Sequence, residues 1–204
     1  MRYHSFMKAH GLLHNHIVAA FMLLLLACLP ASAQTEAAPQ SFTAAQVAKL
    51  DDLFAKLQMA DDAGAKIIEG DIWREWSKSG SPAMDLLLER GRAAMAAGAP
   101  DVAIEHFTAL IDHAPEFAEG WNARATAYYQ MGEFGPSIAD IGHALTLNPR
   151  HFGALSGLGE IFEQIGKPEQ ALEVYKAALA IHPRLAGVLE AVARLEAAAQ
   201  GQDL

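Results

Sequence analysis

Trp121 to Pro149, WNARATAYYQMGEFGPSIADIGHALTLNP, decides the fold, because the chain repeats its pattern on both sides at one fixed spacing. Thirty-four residues later, Leu155 to Pro183 reads LSGLGEIFEQIGKPEQALEVYKAALAIHP. Thirty-four residues earlier, Leu87 to Pro115 reads LLERGRAAMAAGAPDVAIEHFTALIDHAP. A fixed period of this length is the mark of a repeat array, in which each unit buries its apolar face only against its neighbours.

The units are 84–117, 118–151 and 152–185. Their fourth positions hold Leu87, Trp121 and Leu155, and their eighth the small residues Gly91, Ala125 and Gly159. Positions four, seven, eight and eleven share one stripe of a helix. A small residue at eight lets a second helix approach closely. The fifteenth position is glycine each time (Gly98, Gly132, Gly166), where the first helix must end and a left-handed conformation costs little. The thirty-second is proline (Pro115, Pro149, Pro183), which cannot continue the second helix. Each unit therefore reads as helix, turn, helix, stop.

These residues closely resemble the tetratricopeptide repeat, a helix–turn–helix unit of the same period. The resemblance implies an all-α fold, a right-handed superhelical solenoid of such hairpins. Three clear repeats would fill 84–185, between a degenerate N-terminal hairpin at 44–80 and a C-terminal cap helix with its tail at 186–204. Departures are visible: position seven is Arg90 and Arg124 where the family favours leucine, and Arg124 faces Asp140 sixteen residues on as a pairing partner. In the upstream hairpin Leu50, Leu53, Phe54 and Leu57 make one stripe, Ala63-Gly64 a break, and Ile68, Ile72, Trp73 and Trp76 a second stripe. An array needs atypical ends, so this hairpin is expected to cover the first repeat. Leu185, Val188, Leu189, Val192 and Leu195 form the stripe expected of the closing helix.

Outside the repeats, residues 1–33 read as a secretory signal peptide. Arg2 and Lys8 are their only charges, Ile17–Leu29 is an apolar run, and Ala31-Ser32-Ala33 is an A-x-A end. Residues 34–43 read as a flexible linker. The alternative is a lipoprotein anchored through Cys28, since Leu25-Leu26-Ala27-Cys28 resembles a lipobox, and only then is the membrane a partner. Either reading places the protein beyond the inner membrane, in the periplasm. The leader holds two of the 15 basic residues and none of the 24 acidic ones, so the exported part carries a net charge of −11. That balance argues against nucleic acid as a partner. Cys28 is the single cysteine, which leaves the exported part no disulfide, thiol nucleophile or cysteine metal site.

No catalytic motif stands out: there is no G-x-S-x-G, no H-E-x-x-H and no strand-borne phosphate loop. His113, His151 and His182 lie near unit junctions beside prolines; equivalent junctions are one repeat apart, which keeps the three from converging on a metal, and they read as helix-end caps or solvated groups. Asp51-Asp52 and Asp61-Asp62 read as a solvated face. The expectation is a non-catalytic protein without cofactor or metal.

What remains is a surface. In proteins resembling this family, positions two, five, nine and twelve of each first helix line a concave peptide-binding groove. Here those positions supply Asp85, Leu88 and Arg92, then Glu119, Asn122, Thr126 and Tyr129, then Ser156, Glu160 and Glu163. Met95 and Gly153 hold the remaining two places. Four acids against one arginine predict an acidic groove for a basic or polar segment of a protein or peptide. The family's carboxylate-holding lysines are absent from position five. Gly153 and Gly157 predict a close approach by a neighbour or guest. The second functional class is a structural subunit of an obligate oligomer that docks through the 44–80 hairpin.

Overall fold

The computed structural model describes residues 42–202; the signal-peptide reading, Cys28 and most of the 34–43 segment lie outside the described residues. Nine helices follow one another without a strand among those residues. They are α1 (Ala44–Met59), α2 (Asp62–Trp76), α3 (Pro82–Ala96), α4 (Pro100–His113), α5 (Ala118–Gln130), α6 (Phe134–Leu147), α7 (Phe152–Gln164), α8 (Pro168–Ile181) and α9 (Ala186–Gln202).

The three hairpins α3–α4, α5–α6 and α7–α8 are the predicted repeats, and their turns are built alike. Gly98, Gly132 and Gly166 have φ of 73°, 75° and 72°. In the first, the Gly98 and Ala99 N–H groups return to the Met95 and Ala94 carbonyls; the other two repeat the arrangement one and two units on. Carbonyls at the helix end are thereby satisfied before the chain reverses. Pro82, Pro100 and Pro168 open α3, α4 and α8, where a missing N–H costs nothing.

The small residues at position eight do what their spacing predicts. A Cβ on Gly91 would lie 2.2 Å from the Phe107 ring, and one on Gly159 would lie 2.4 Å from Tyr175. Each aromatic of the second helix therefore sits on bare backbone of the first, and both rings are buried. Ala125 takes this place in the middle repeat, where its carbonyl accepts from the buried Ser137 hydroxyl at 2.8 Å. Arg124 and Asp140 form the expected pair, with two bonds of 2.7 and 2.9 Å. The Asp140 carboxylate holds the guanidinium above its usual range despite burial. Apolar clusters then run from repeat to repeat and end on Val188, Ala191 and Leu195 of α9. Leu189, expected in that stripe, is 43% exposed, and Ala191 lies inside with Val188 and Leu195 instead.

The largest departure is the N-terminal hairpin. Its stripes are as read: Leu50, Leu53, Phe54, Leu57, Ile72 and Trp76 are buried. Its break lies at Ala60-Asp61 rather than at Ala63-Gly64, because the Asp61 carboxylate caps α2 by accepting the Gly64 N–H at 2.8 Å. It does not stack on the first repeat as an end cap. It runs along the row of junctions between units. Gln58 donates to the Ala180 and Ile181 carbonyls at the end of α8, Asp62 meets Arg184, and Asp51 meets Arg150. At its other end Ser77 accepts from Arg92 of α3. The hairpin is thus a brace that touches the first repeat, the second junction and the third. Asp51 and Asp62 are not a merely solvated face but its ion-pair contacts.

The clasp of this brace is aromatic. Trp76 stacks on His151 with centroids 4.3 Å apart and packs on Phe152 at 4.9 Å, while Trp73 meets Trp76, His151 and Phe152 edge-on. Burial of rings of this size contributes most of the hairpin's hold on the array. His151 and His182, read as caps or solvated groups, are wholly buried. The capping part stands for His151, though at the start of α7 rather than at the preceding helix end. Its Nδ1 accepts the Ala154 N–H, which puts the ring proton on Nε2. His113 is exposed.

Candidate functional site

Position five of α5 and the positions around it on α7 face one another across a concavity of about 200 Å³. Asn122, Thr126 and Tyr129 form one wall, Gly153, Ser156, Gly157 and Glu160 the other, and Ser137 and Ile141 of α6 lie at its base. A second concavity of about 300 Å³ continues it toward α9, between Ser156, Glu160, Glu163, Tyr175, Val188 and Arg194. Together they make a trough over the second repeat, the third and the closing helix. Six of the predicted groove residues line it: Asn122, Thr126, Tyr129, Ser156, Glu160 and Glu163.

The other four are spent elsewhere. Leu88 is 2% exposed, packed with Phe107, Leu110 and Phe117 in the core of the first repeat. Asp85 accepts from the Ser79 backbone N–H and hydroxyl at 2.7 and 2.6 Å, tying the chain between the brace and α3. Arg92 lies on Glu119 at 2.6 Å. Glu119 is only 3% exposed, and its second oxygen accepts from Asn122 at 3.3 Å and from His151 Nε2 at 2.9 Å. Helical position alone cannot show that the brace covers this end of the surface, and the chain offers no other signal for it.

Pairing also changes the charge of the trough. The expected acidic groove holds four carboxylates, of which Asp85 and Glu119 are satisfied internally. Glu163 accepts from the Tyr175 hydroxyl at 2.9 Å and pairs with Arg194 at 2.7 Å. Arg194 holds the Glu163 carboxyl below the usual range against the effect of burial, with the Tyr175 hydroxyl adding to it. Burial, then its bond to Glu163, pushes the Tyr175 phenol well up. Glu160 differs: it has no hydrogen-bond or ion-pair partner among the described residues, and it lines both concavities. Burial and the neighbouring Glu163 charge raise its carboxyl.

Gly153, predicted to admit a neighbour or a guest, admits a neighbour. A Cβ there would lie 2.7 Å from the Trp73 ring, so the brace packs against α7 at the edge of the trough. At Gly157 a Cβ would meet only Ile141 at 4.0 Å, which leaves bare α7 backbone facing the trough. The described residues contain no group of three or more His, Cys, Asp or Glu side chains that could hold a metal.

Three comparisons bear on this geometry. The family model for tetratricopeptide repeats matches residues 88–135 and 122–186. A TPR repeat-containing protein of Rhizobium etli is 36% identical over 136 residues, 66% of this chain and 67% of that protein. Small glutamine-rich tetratricopeptide repeat-containing protein 2 of Saccharomyces cerevisiae is 32% identical over 57% of this chain, which spans only 34% of that longer protein. Among solved structures, the first TPR domain of Spaghetti (RPAP3) bound to the HSP90 peptide SRMEEVD superposes with a TM-score of 0.55 at 25% identity. That alignment covers 57% of this chain and 93% of the other. MamA superposes with a TM-score of 0.55 at 22% identity, over 71% of this chain and 88% of its own, a likeness of fold alone.

Proposed function

This chain belongs to the tetratricopeptide-repeat family, and from that premise we propose that it is a non-catalytic scaffold that binds an extended protein or peptide segment in the trough over α5, α7 and α9. The observation that carries the reading is the trough itself. It is lined by six of the residues the repeat pattern assigns to the concave face, and its walls are side chains whose polar atoms are only partly used. Tyr129 and Thr126 offer an amphipathic ring and a hydroxyl at low entropic cost, the composition of protein-recognition surfaces. The brace shortens the site by closing the first-repeat end. A guest is held by the second and third repeats and α9.

The guest differs in charge from the peptide in the RPAP3 complex. SRMEEVD is acidic, whereas this trough carries an unpaired carboxylate and no lysine at position five of any repeat. A basic or polar segment suits it. The leader sequence supports export, and with it a partner in the periplasm; a Cys28-anchored lipoprotein is the alternative form. The oligomer reading finds less support, because Trp73 and Trp76 are turned onto the chain's own junctions.

Site-specific photocrosslinking tests the binding surface. A photoreactive residue at Thr126, in the trough, is expected to capture a discrete partner in the native envelope, while one at the exposed Glu173 of α8 is not. Capture from Glu173 and none from Thr126 would move the binding surface to the outer helices.

A further inference from the structure

The two concavities of the trough are one site made twice. Shifting the lining of the first by thirty-four residues reproduces nearly all of the second: Asn122 becomes Ser156, Tyr129 becomes Glu163, Ile141 becomes Tyr175 and Gly157 becomes Ala191. The same shift in the other direction leads from these residues to Leu88, Met95, Phe107 and Ala123 of the first repeat and the start of the second. Those four belong to one apolar cluster, in which Leu88 is 2% exposed. The chain therefore builds the same seat three times along its concave side and closes the first with its own leucine.

Position five decides which seats are closed. It is leucine in the first repeat, asparagine in the second and serine in the third, so the side chain that plugs the first seat is cut short at the other two. Asn122 is also drawn toward Glu119, to which it donates at 3.3 Å. Concavities of about 200 and 300 Å³ result. Both exceed the roughly 150 Å³ that admits a benzene-sized guest. Each offers apolar surface, Ile141 and Ile161 in one and Tyr175 and Val188 in the other. An aliphatic side chain entering there leaves water and meets atoms that lack contacts on that side. The approach is open at Gly157, where a Cβ would meet only Ile141 at 4.0 Å.

We propose that the two open seats each take one leucine-sized aliphatic side chain of an extended guest peptide, which gives the second and third repeats what Leu88 gives the first. The inference rests on the trough being the binding surface. It adds that the guest carries two aliphatic anchors within an otherwise polar segment, and that their spacing is constant because the seats lie one repeat apart.

Selection of a random dodecapeptide library displayed on phage against residues 34–204, which contain every described helix, tests it. Two variants are selected in parallel: Gly157→Leu, which fills the seat between α5 and α7, and Ser156→Leu, which fills the seat between α7 and α9 as Leu88 fills the first. Wild type is expected to enrich peptides with two aliphatic positions at one spacing, and each variant to enrich peptides that keep only one of them. A peptide selected on wild type should bind either variant at least about tenfold more weakly. Alanine at the matching anchor should cause the same loss in wild type and little further loss in that variant. Photoleucine at the two anchors locates them in wild type without any substitution, and should label α6 or α7 from one anchor and α8 or α9 from the other. Enriched peptides without aliphatic anchors, anchors that both variants retain, or labelling away from these helices would overturn the seats while leaving the trough as the binding surface. If no protein enriches any sequence, the trough reading fails and the seats with it.

Discussion

In the repeat array, Gly91 faces Phe107 and Gly159 faces Tyr175, each sixteen residues along the chain and one helix away. In the N-terminal brace, Trp76 stacks on His151, seventy-five residues away, and Gln58 reaches Ile181 across more than a hundred. Both regions are helical hairpins with apolar inner stripes. The array is held by short contacts that every unit makes again, so an isolated pair of units already contains most of its own packing. The brace meets three units at junctions that are not equivalent, and its inner face has no partner until those junctions exist. The array can therefore stand without the brace, while the brace depends on the array.

Trp76→Ala applies the largest stress to that difference. Deleting a fully buried tryptophan costs about 3–5 kcal/mol, and here the loss falls on the clasp alone. Hydrogen exchange should show α1 and α2 losing protection while α5 to α8 keep theirs. Equal loss throughout would mean that array and brace form one cooperative unit.

Tyr129→Ala probes the trough rather than the scaffold. Its ring is part-buried against Phe134, and partner binding should weaken by on the order of 2 kcal/mol, the scale of an interface anchor, as read by titration with a captured peptide. Asn122→Ala is expected to lower stability as well as binding, because Asn122 donates to the buried Glu119 that also holds Arg92 and His151. Unaltered binding in both variants would remove the second repeat from the site.

Gly159→Leu strikes the array instead. Its Cβ would enter the Tyr175 ring, and overpacking of this kind costs about 1–3 kcal/mol. The thermal midpoint should fall, with α7 and α8 opening first in hydrogen exchange. An unmoved midpoint would show that the close ring-on-backbone seat does not carry the hairpin.

Glu160→Gln is the smallest effect and has a sign. The Glu160 carboxyl is raised in the fold, so the folded protein binds its proton more readily than the unfolded chain. That site therefore costs stability as pH rises through the carboxylate range and onward. Glutamine should gain under about 0.5 kcal/mol near neutral pH, and the gain should vanish in acid. Glu163 acts the opposite way: Arg194 lowers its carboxyl, and its contribution is present at neutral pH and lost as pH falls through its folded value. A gain from Glu160→Gln that persists in acid would show that charge is not its cause.

How much was legible follows the same division. The glycine turns, the seats at Gly91 and Gly159 and the Arg124–Asp140 pair repeat or lie within one unit, and each was visible as spacing. The stripes of the brace were visible too, since amphipathicity is local. Where that hairpin packs was not, because Trp73, Trp76, His151 and Phe152 meet once and leave no period behind. The site divided likewise. Asn122, Thr126, Tyr129, Ser156, Glu160 and Glu163 line the trough because their own helices place them there. Leu88 is taken by the core of its own repeat, and Asp85, Arg92 and Glu119 by contacts at the braced end, which a helical wheel does not record.

Crosslinking of introduced cysteines tests the central claim most directly. Residues 34–204 contain no cysteine, so Gln58→Cys can be paired with Ala180→Cys at the end of α8, or with Glu89→Cys on the exposed face of the first repeat. With the shortest bismaleimide, the Gln58–Ala180 pair should crosslink rapidly within one chain and the Gln58–Glu89 pair should not, because Gln58 lies on the last turn of α8. Rapid crosslinking of Gln58 to Glu89 with none to Ala180 would place the hairpin on the first repeat as an ordinary end cap, and would reopen the end of the trough that the brace closes.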